Sequence, residues 1–237
     1  MPSAKPGPLY FLKRDLEGIL VDDSLPFFRS DNPSDLSPVG YSGPALQTPD
    51  DHGDALFFFS KQNTGAQDNT GAKSDVCAIG YYPVYDNDNL SLQGIHKSYR
   101  LLRYFKSSDE TWSLPGASHP TGLNFFLASL TTGAPDYTLL FAPALGSAEG
   151  DEVIARNIIN FKVVPLDRDY QPLGPTSGNR FNTRPAFFEI SLTSLNLETA
   201  RKLNSQDDWH KSPPGYDNSI LFRQNAQEFK LRVAVLK

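Results

Sequence analysis

The sequence contains little cysteine and no excess of basic residues. Cys77 is the one cysteine among 237 residues, so the chain cannot form an internal disulfide. Its 22 lysines and arginines stand against 27 aspartates and glutamates, which gives a formal net charge of −5. Proteins that bind nucleic acid usually carry clustered positive charge. We therefore predict no nucleic-acid partner, and we interpret Cys77, within the apolar run 76–79, as a small buried side chain.

The sequence also lacks a long apolar segment. Its longest stretch without a charged residue, 111–135, is interrupted by prolines and glycines such as Pro115, Gly116 and Pro120. A helix needs about 20 mostly apolar residues to cross a bilayer, so we predict no transmembrane helix here. Residues 1–8 contain no apolar core of a secretory signal. The chain is therefore expected to be soluble.

Aromatic residues, by contrast, are plentiful. The chain has 16 Phe and 10 Tyr, and aromatic residues make up 12% of the sequence while charged residues make up 21%. Disordered chains have few aromatic and many charged residues, so this composition predicts a folded protein. The 17 glycines and 19 prolines indicate many turns and few long helices.

The N-terminal residues predict an amphipathic helix that ends before Asp22. Apolar residues recur at steps of three and four, the period of one helix face, at Leu9, Leu12, Leu16, Ile19 and Leu20. Charged residues fill the other side, at Lys13, Arg14, Asp15 and Glu17. We expect the apolar face to pack on a sheet and the charged face to point outward.

The rest of the chain shows the pattern of β-strands joined by long loops. Aromatic or alternating runs predict strands over residues 55–60, 76–85, 99–105, 158–164, 185–193 and 229–235. Short helices are predicted at 197–203 and 219–227, polar loops at 29–53, 62–74 and 167–184, and residues 106–150 receive no clear assignment. The fold class we predict is α+β, with one N-terminal helix (residues 1–22) packed on a mostly antiparallel sheet with long loops, in a single globular domain (residues 23–237).

Motifs for catalysis or for cofactors do not occur. The sequence contains no nucleophile elbow, P-loop or dinucleotide fingerprint. Its histidines are not spaced as zinc ligands, and each lies in a polar or Pro-rich segment: His52, His96, His119 and His210. We therefore assign no catalytic, cofactor-binding or metal-binding residue, and we expect the protein not to be an enzyme.

Two groups of acidic residues have alternative interpretations. The turn Asp86–Asn89 could offer oxygen ligands to calcium, but Ser91 and Lys97 stand where an EF-hand needs Gly and Glu, which favours a hairpin tip. Other loop acids could supply the two carboxylates of a glycoside hydrolase, or they could be solvated acids and helix caps. These are Asp50, Asp51, Asp54 and the pairs Asp22–Asp23 and Asp207–Asp208.

Aromatic residues on loops leave a further function open. Their rings could stack on sugars, or they could anchor loops by burying the ring and leaving a polar tip in water. The candidates are Tyr41, Trp112, Tyr137, Tyr170, Trp209 and Tyr216. Because the sequence does not separate these interpretations, a carbohydrate-binding β-module is the alternative function.

Several segments, in order along the chain, resemble minor pseudopilins of the J type from type II secretion systems. Residues 9–17 (LYFLKRDLE) resemble the soluble end of that family's long N-terminal helix, and residues 54–60 (DALFFFS) resemble the strand that follows it. Further matching segments are the hairpin 79–85 (IGYYPVY) with 99–105 (YRLLRYF), the central strand 154–163 (IARNIINFKV), and the Pro-initiated strand and helix 184–192 (RPAFFEISL) and 198–203 (ETARKL). The most similar group is the pseudopilin-like Verru_Chthon cassette protein C, and the resemblance spans about residues 9–235.

This resemblance implies a helix packed on an antiparallel sheet, in a non-catalytic structural subunit of a type II secretion or type IV pilus-like assembly. It implies other pseudopilin-like subunits as partners, no cofactor, and a periplasmic or extracytoplasmic location. Members of the family begin with a basic leader, a cleavage site and an apolar helix, none of which precedes Leu9. We therefore expect anchoring in the inner membrane only where the full-length protein carries such a helix.

Overall fold

The computed structural model describes residues 7–21, 25–31, 53–62, 76–85, 97–107, 111, 152–176, 178–210 and 217–235. Its helices are α1 (Pro8–Glu17), α2 (Leu197–Ala200) and α3 (Ser219–Asn225), and a 3-10 turn spans Asp207–Trp209. Its strands are β1 (Ile19–Leu20), β2 (Phe27–Ser30), β3 (Ala55–Lys61), β4 (Val76–Tyr85), β5 (Tyr99–Lys106), β6 (Glu152–Arg156), β7 (Ile158–Leu166), β8 (Arg180–Phe181), β9 (Phe187–Leu195) and β10 (Ala226–Ala234).

These strands form two antiparallel sheets. The larger sheet has seven strands in the order β6-β5-β4-β3-β2-β8, with β1 also paired to β3. The smaller sheet has three strands in the order β10-β9-β7. The predicted hairpin of β4 and β5 is confirmed, because Tyr85 pairs with Tyr99 and the register continues to Ala78 opposite Lys106.

The first helix is shorter than predicted. It begins with Pro8 in its first turn, a position that suits proline, and it ends at Glu17 with Gly18 as its C-cap. The chain then pairs with β3, so that Ile19 lies opposite Ser60. A Cβ atom on residue 18 would lie 2.6 Å from the carbonyl oxygen of Lys61. Glycine therefore allows the close approach that turns a predicted helical end into a strand.

Three short strands lie where the sequence predicted no strand. β2 includes the start of the predicted loop 29–53, β8 lies within the predicted loop 167–184, and β6 precedes the predicted central strand. Each is two to five residues long, too short for an alternating pattern to be recognised. Their partners are distant in sequence, as in the pairing of Phe27 with Phe181, so only the tertiary structure specifies them.

The chain passes from one sheet to the other at a single residue. β6 ends at Arg156 in the larger sheet, and β7 begins at Ile158 in the smaller one. Asn157 between them has a φ of 58°, in the left-handed region that asparagine enters more readily than most side chains. The conformation of Asn157 therefore redirects the backbone between the sheets.

Helix α1 packs against both sheets, through contacts with β3 and β10. Leu12, Leu16 and Ile19 are fully buried, as the sequence predicted. They belong to one core cluster that includes Leu56, Phe58, Ile79, Leu101, Phe161, Val163, Phe188, Ile190, Leu192 and Val233, and that also contains the buried Cys77. The predicted α+β class, a helix packed on antiparallel sheets, is confirmed. Among the described residues, no helix has the length and apolar character needed to cross a membrane.

Candidate functional site

A buried carboxylate lies beneath the first helix. Asp15 on α1 is fully buried. Its Oδ2 accepts hydrogen bonds from the Tyr81 hydroxyl at 2.6 Å and from Arg103 Nε at 2.7 Å. Its Oδ1 accepts hydrogen bonds from Arg14 Nε at 2.9 Å and Nη2 at 2.8 Å. We call these four residues the Asp15 network.

The Asp15 network joins α1 to three neighbouring strands. Tyr81 on β4 lies directly opposite Arg103 on β5 in the sheet register. Ser60 Oγ on β3 donates a hydrogen bond of 2.8 Å to the main-chain carbonyl oxygen of Asp15. One residue of the helix therefore binds the sheet through both its side chain and its backbone, which fixes the helix position along the strands.

Arg103 supplies the buried positive charge of the network. Its side chain is 7% exposed, and its guanidinium lies 4.6 Å from the ring centroid of Phe105 and 5.6 Å from that of Phe11. Glu152 Oε2 on β6 lies 3.7 Å from Arg103 Nη1. A fully buried carboxylate is tolerated only with such a partner, so the arrangement is a structural ion pair.

The network shifts the pKa values of two of its members. Burial raises the pKa of the Tyr81 hydroxyl well above its usual value, and the negative charge of Asp15 raises it further. Burial acts to lower the pKa of Arg103, but the hydrogen bond and the charge of Asp15 outweigh burial, and this pKa rises. Both shifts keep the proton in place, so that Tyr81 and Arg103 remain donors to Asp15.

Replacing Tyr81 by phenylalanine removes a hydrogen bond to a charged group, and we expect it to lower the free energy of unfolding by about 1.5–3 kcal/mol near neutral pH. The folded-state pKa of Tyr81 lies above its value of about 10 in an unfolded chain. The stabilisation is therefore complete below about pH 10 and is lost as the pH rises through the folded-state pKa. Denaturant unfolding of wild type and variant at about pH 8 and about pH 11 measures this difference.

The control for this experiment is Tyr10→Phe, at a position that is 54% exposed. This variant should match the wild type at both pH values, because its hydroxyl faces solvent. If the difference between wild type and Tyr81→Phe is as large at the higher pH as at the lower, the Tyr81 hydroxyl does not stabilise the fold by donating its proton to Asp15.

The buried position of Asp15 corrects the prediction that placed it on the outward side of the helix. Asp15 follows Leu12 by three residues and precedes Ile19 by four, and this spacing puts all of them on one helix face. The charge of the side chain suggested exposure, whereas its spacing indicated burial. That spacing is the sequence signal that could have located the network.

The opposite side of α1 is open to solvent. Tyr10 is 54% exposed, and the side chain of Lys13 is 57% exposed. Lys13 Nζ lies 3.8 Å from Glu17 Oε1 one turn later, and Arg14 is partly exposed although it binds Asp15. We call Tyr10, Lys13, Arg14 and Glu17 the open stripe of α1.

A second buried carboxylate, Asp54, joins the two sheets. Its Oδ2 and Oδ1 accept hydrogen bonds from Arg29 Nε at 3.0 Å and Nη2 at 2.9 Å. The Asp54 Oδ2 also accepts the Val163 N–H at 2.6 Å, and the Asp54 N–H donates to the Phe161 carbonyl oxygen at 2.7 Å. Burial raises the pKa of Asp54, against the opposing effect of Arg29. Both oxygens of this candidate catalytic acid are therefore engaged in holding β2, β3 and β7 together.

Most of the other polar residues considered from the sequence lie outside the described residues. These are Asp22, Asp23, Asp50, Asp51, His52, the turn Asp86–Asn89, His96 and His119. His210 is partly buried after the 3-10 turn. Asp208 Oδ2 accepts the backbone N–H groups of Asn204 and Ser205 at 2.8 Å, so it caps a turn. Within the described ranges, no cluster of three His, Cys, Asp or Glu side chains is placed to hold a metal ion.

The loop aromatics divide between core and surface. Trp209 was a candidate for sugar stacking, but it is fully buried and packs edge-on against Tyr99 at a centroid distance of 6.0 Å. Its ring completes the core beneath the 3-10 turn, so it cannot present a face to a ligand. Tyr170 is 51% exposed. The remaining candidates, Tyr41, Trp112, Tyr137 and Tyr216, lie outside the described residues.

Among known proteins, the similarity found for this chain is structural. No protein-family model matches the chain, and no curated protein matches it. A type IV-like pilin from Thermus thermophilus aligns with 96% of this chain and 93% of its own length, at 13% sequence identity and a TM-score of 0.36.

Proposed function

We propose that this chain is a non-catalytic structural subunit of a pilin-like assembly. More specifically, we propose a role like that of a J-type minor pseudopilin in a type II secretion or type IV pilus-like machinery. The observation that carries the proposal is the contrast between the two sides of α1, one locked into the fold and the other open. The sequence resemblance described above supports the same role.

The locked side gives the helix a fixed position. Leu12 and Leu16 are fully buried, and Asp15 between them is bound to β4 and β5 through Tyr81 and Arg103. A subunit that transmits its position to neighbours through a helix needs that helix to be rigid relative to its own domain. Burial of apolar side chains together with a buried ion pair supplies this rigidity.

The open side offers a surface for neighbouring subunits. The open stripe of α1 combines an aromatic ring with charges of both signs, at Tyr10, Lys13, Arg14 and Glu17. Charges of both signs favour one register between neighbours over others, and exposed tyrosine is common at binding surfaces. The partners in this proposal are other pilin-like subunits.

The proposal includes a location and a domain organisation. It treats residues 1–22 as the helical part and residues 23–237 as one globular domain, outside the cytoplasmic membrane. A membrane connection in the proposal runs through an apolar helix N-terminal to Leu9. The non-catalytic role agrees with Asp54, whose carboxylate binds Arg29 and the backbone of Val163.

Site-specific photo-crosslinking tests the proposal in cells that produce the protein. A photoreactive amino acid at Lys13, within the open stripe, should form adducts whose partner is identified by mass spectrometry. We expect the partner to be a protein with a prepilin-type leader. A charge exchange, Lys13→Glu with Glu17→Lys, should reduce these adducts without changing the melting temperature, because both side chains are exposed.

The matched control places the same photoreactive residue at Glu228, an exposed position on β10. Equal adducts from both positions would indicate nonspecific contact and would contradict a role for the open stripe. Adducts at Lys13 with proteins that lack a prepilin-type leader would contradict the pilin-like assembly itself.

A further inference from the structure

An exposed aromatic ring lies flat against the smaller sheet. The Tyr170 ring stacks on Phe187 of β9, with centroids 4.9 Å apart and planes inclined by 19°. The Arg232 guanidinium of β10 lies over the same ring, 4.9 Å from its centroid. Tyr170 nevertheless remains 51% exposed. The sheet therefore holds the ring in place while about half of the side chain faces solvent.

The loop that carries Tyr170 is held by its own hydrogen bonds. Asp167 Oδ1 accepts the backbone N–H groups of Asp169 and Gln171, both at 2.8 Å, and the Asp167 N–H donates to the Gln171 carbonyl oxygen at 2.9 Å. Tyr170 has a φ of 60°, which is rare for a bulky side chain. Such conformations concentrate at functional sites, and a loop already fixed in shape loses little freedom when it binds a ligand.

A cleft of about 480 Å³ adjoins this ring. Phe187 connects the two features, since it stacks with Tyr170 and also lines the cleft. The polar residues of the cleft are Asp167, Arg168, Thr183 and Arg184. Arg168 is exposed and forms no hydrogen bond or ion pair with the described part of the chain. Guanidinium groups suit the recognition of carboxylates.

A second, shallower depression of about 290 Å³ extends the surface along β10. It is lined by Glu189, Lys230, Leu231 and Arg232. Arg232 Nη2 binds Glu189 Oε2 at 2.7 Å, which positions the guanidinium beneath the Tyr170 ring. Cleft, ring and depression thus form a row of polar and basic groups around one exposed aromatic ring. We call this row the Tyr170 surface.

We propose that the Tyr170 surface binds an acidic saccharide, a chain of pyranose rings that carry carboxylates. The C–H face of a pyranose ring packs on a flat exposed aromatic ring, and its hydroxyls find acceptors and donors at Asp167 and Thr183. The carboxylates of neighbouring rings are matched by Arg168 and Arg184. The site does not depend on the assembly role proposed above.

Calorimetric titration of the full chain tests this inference, with tetragalacturonate as the acidic probe and cellotetraose as a neutral probe of equal length. Tetragalacturonate should bind saturably and more tightly than cellotetraose. Tyr170→Asn removes the ring but keeps a residue that accepts a positive φ, and it should weaken binding about tenfold. Arg168→Gln should weaken binding about threefold and reduce the preference for the acidic probe.

The control is Tyr10→Ala, which removes an equally exposed tyrosine from α1 and should leave binding unchanged. Arg168→Gln keeps the test decisive if Tyr170→Asn fails to fold, because the side chain of Arg168 lies on the surface. The inference is overturned if tetragalacturonate does not bind saturably, or if neither variant weakens its binding. Equal binding of cellotetraose, or tighter binding of an oligothymidylate, would also overturn it in favour of a neutral sugar or a nucleic acid.

Discussion

Replacing Asp15 by asparagine is expected to lower the free energy of unfolding by about 3–5 kcal/mol. Asparagine has nearly the same shape, but it carries no charge to balance Arg103, whose side chain is 7% exposed. It also offers one carbonyl oxygen where the carboxylate accepts four hydrogen bonds. Since a domain is typically stable by about 5–15 kcal/mol, this loss is a large fraction of the total. Urea unfolding followed by circular dichroism measures it.

Two further variants separate the charge effect from general damage to α1. Glu17→Gln changes a carboxylate on the exposed side of the same helix, and it should change stability by no more than about 0.5 kcal/mol. Asp15→Asn combined with Arg103→Met removes both charges, and the double variant should be more stable than the sum of the two single losses predicts. A loss below about 1 kcal/mol in Asp15→Asn would show that the buried ion pair does not hold α1 on the sheet.

Leu16→Asp is expected to abolish the cooperative unfolding transition of the domain. Leu16 is fully buried in the core cluster, and a carboxylate there would have no cationic partner. Placing an unpaired charge in an apolar core costs more than about 4–5 kcal/mol, on top of the lost packing. Thermal melting followed by circular dichroism tests this, with no transition or a strongly lowered melting temperature as the expected result.

The matched control introduces the same side chain at an exposed position of the same helix. Lys13→Asp should leave the melting temperature close to that of the wild type, because Lys13 is 57% exposed. If Leu16→Asp melts like the wild type, α1 does not pack on the sheets through its apolar face. If both variants lose the transition, the helix is sensitive to charge at any position, and burial of Leu16 is not the cause.

The sequence predicted the elements that contain their own pattern. The strand after Pro185 was found because Phe188, Ile190 and Leu192 alternate with polar residues, and those three side chains are buried in β9. The hairpin of β4 and β5 was found because two aromatic runs flank a polar turn. In both cases the residues that specify each strand lie within about ten positions of one another, which is the range over which periodicity is visible.

The sequence did not predict the elements that depend on distant partners. β8 is only Arg180 and Phe181, and it becomes a strand because it pairs with β2. Trp209 lies in a polar segment and was considered as an exposed ring, yet it is buried because the 3-10 turn places it against Tyr99. Neither outcome has a local signal, because the contacts that decide it join residues far apart in the chain.

The candidate site shows the same division. The amphipathic pattern by itself determined that α1 would bury Leu12, Leu16 and Ile19, because apolar periodicity selects the face that leaves water. Only the tertiary structure decided that Asp15 would join them, since a carboxylate can be buried only where Tyr81 and Arg103 arrive from two strands to satisfy it. Composition and periodicity specify which surfaces must be covered, whereas the pairing of buried charges depends on which strands the fold brings beneath the helix.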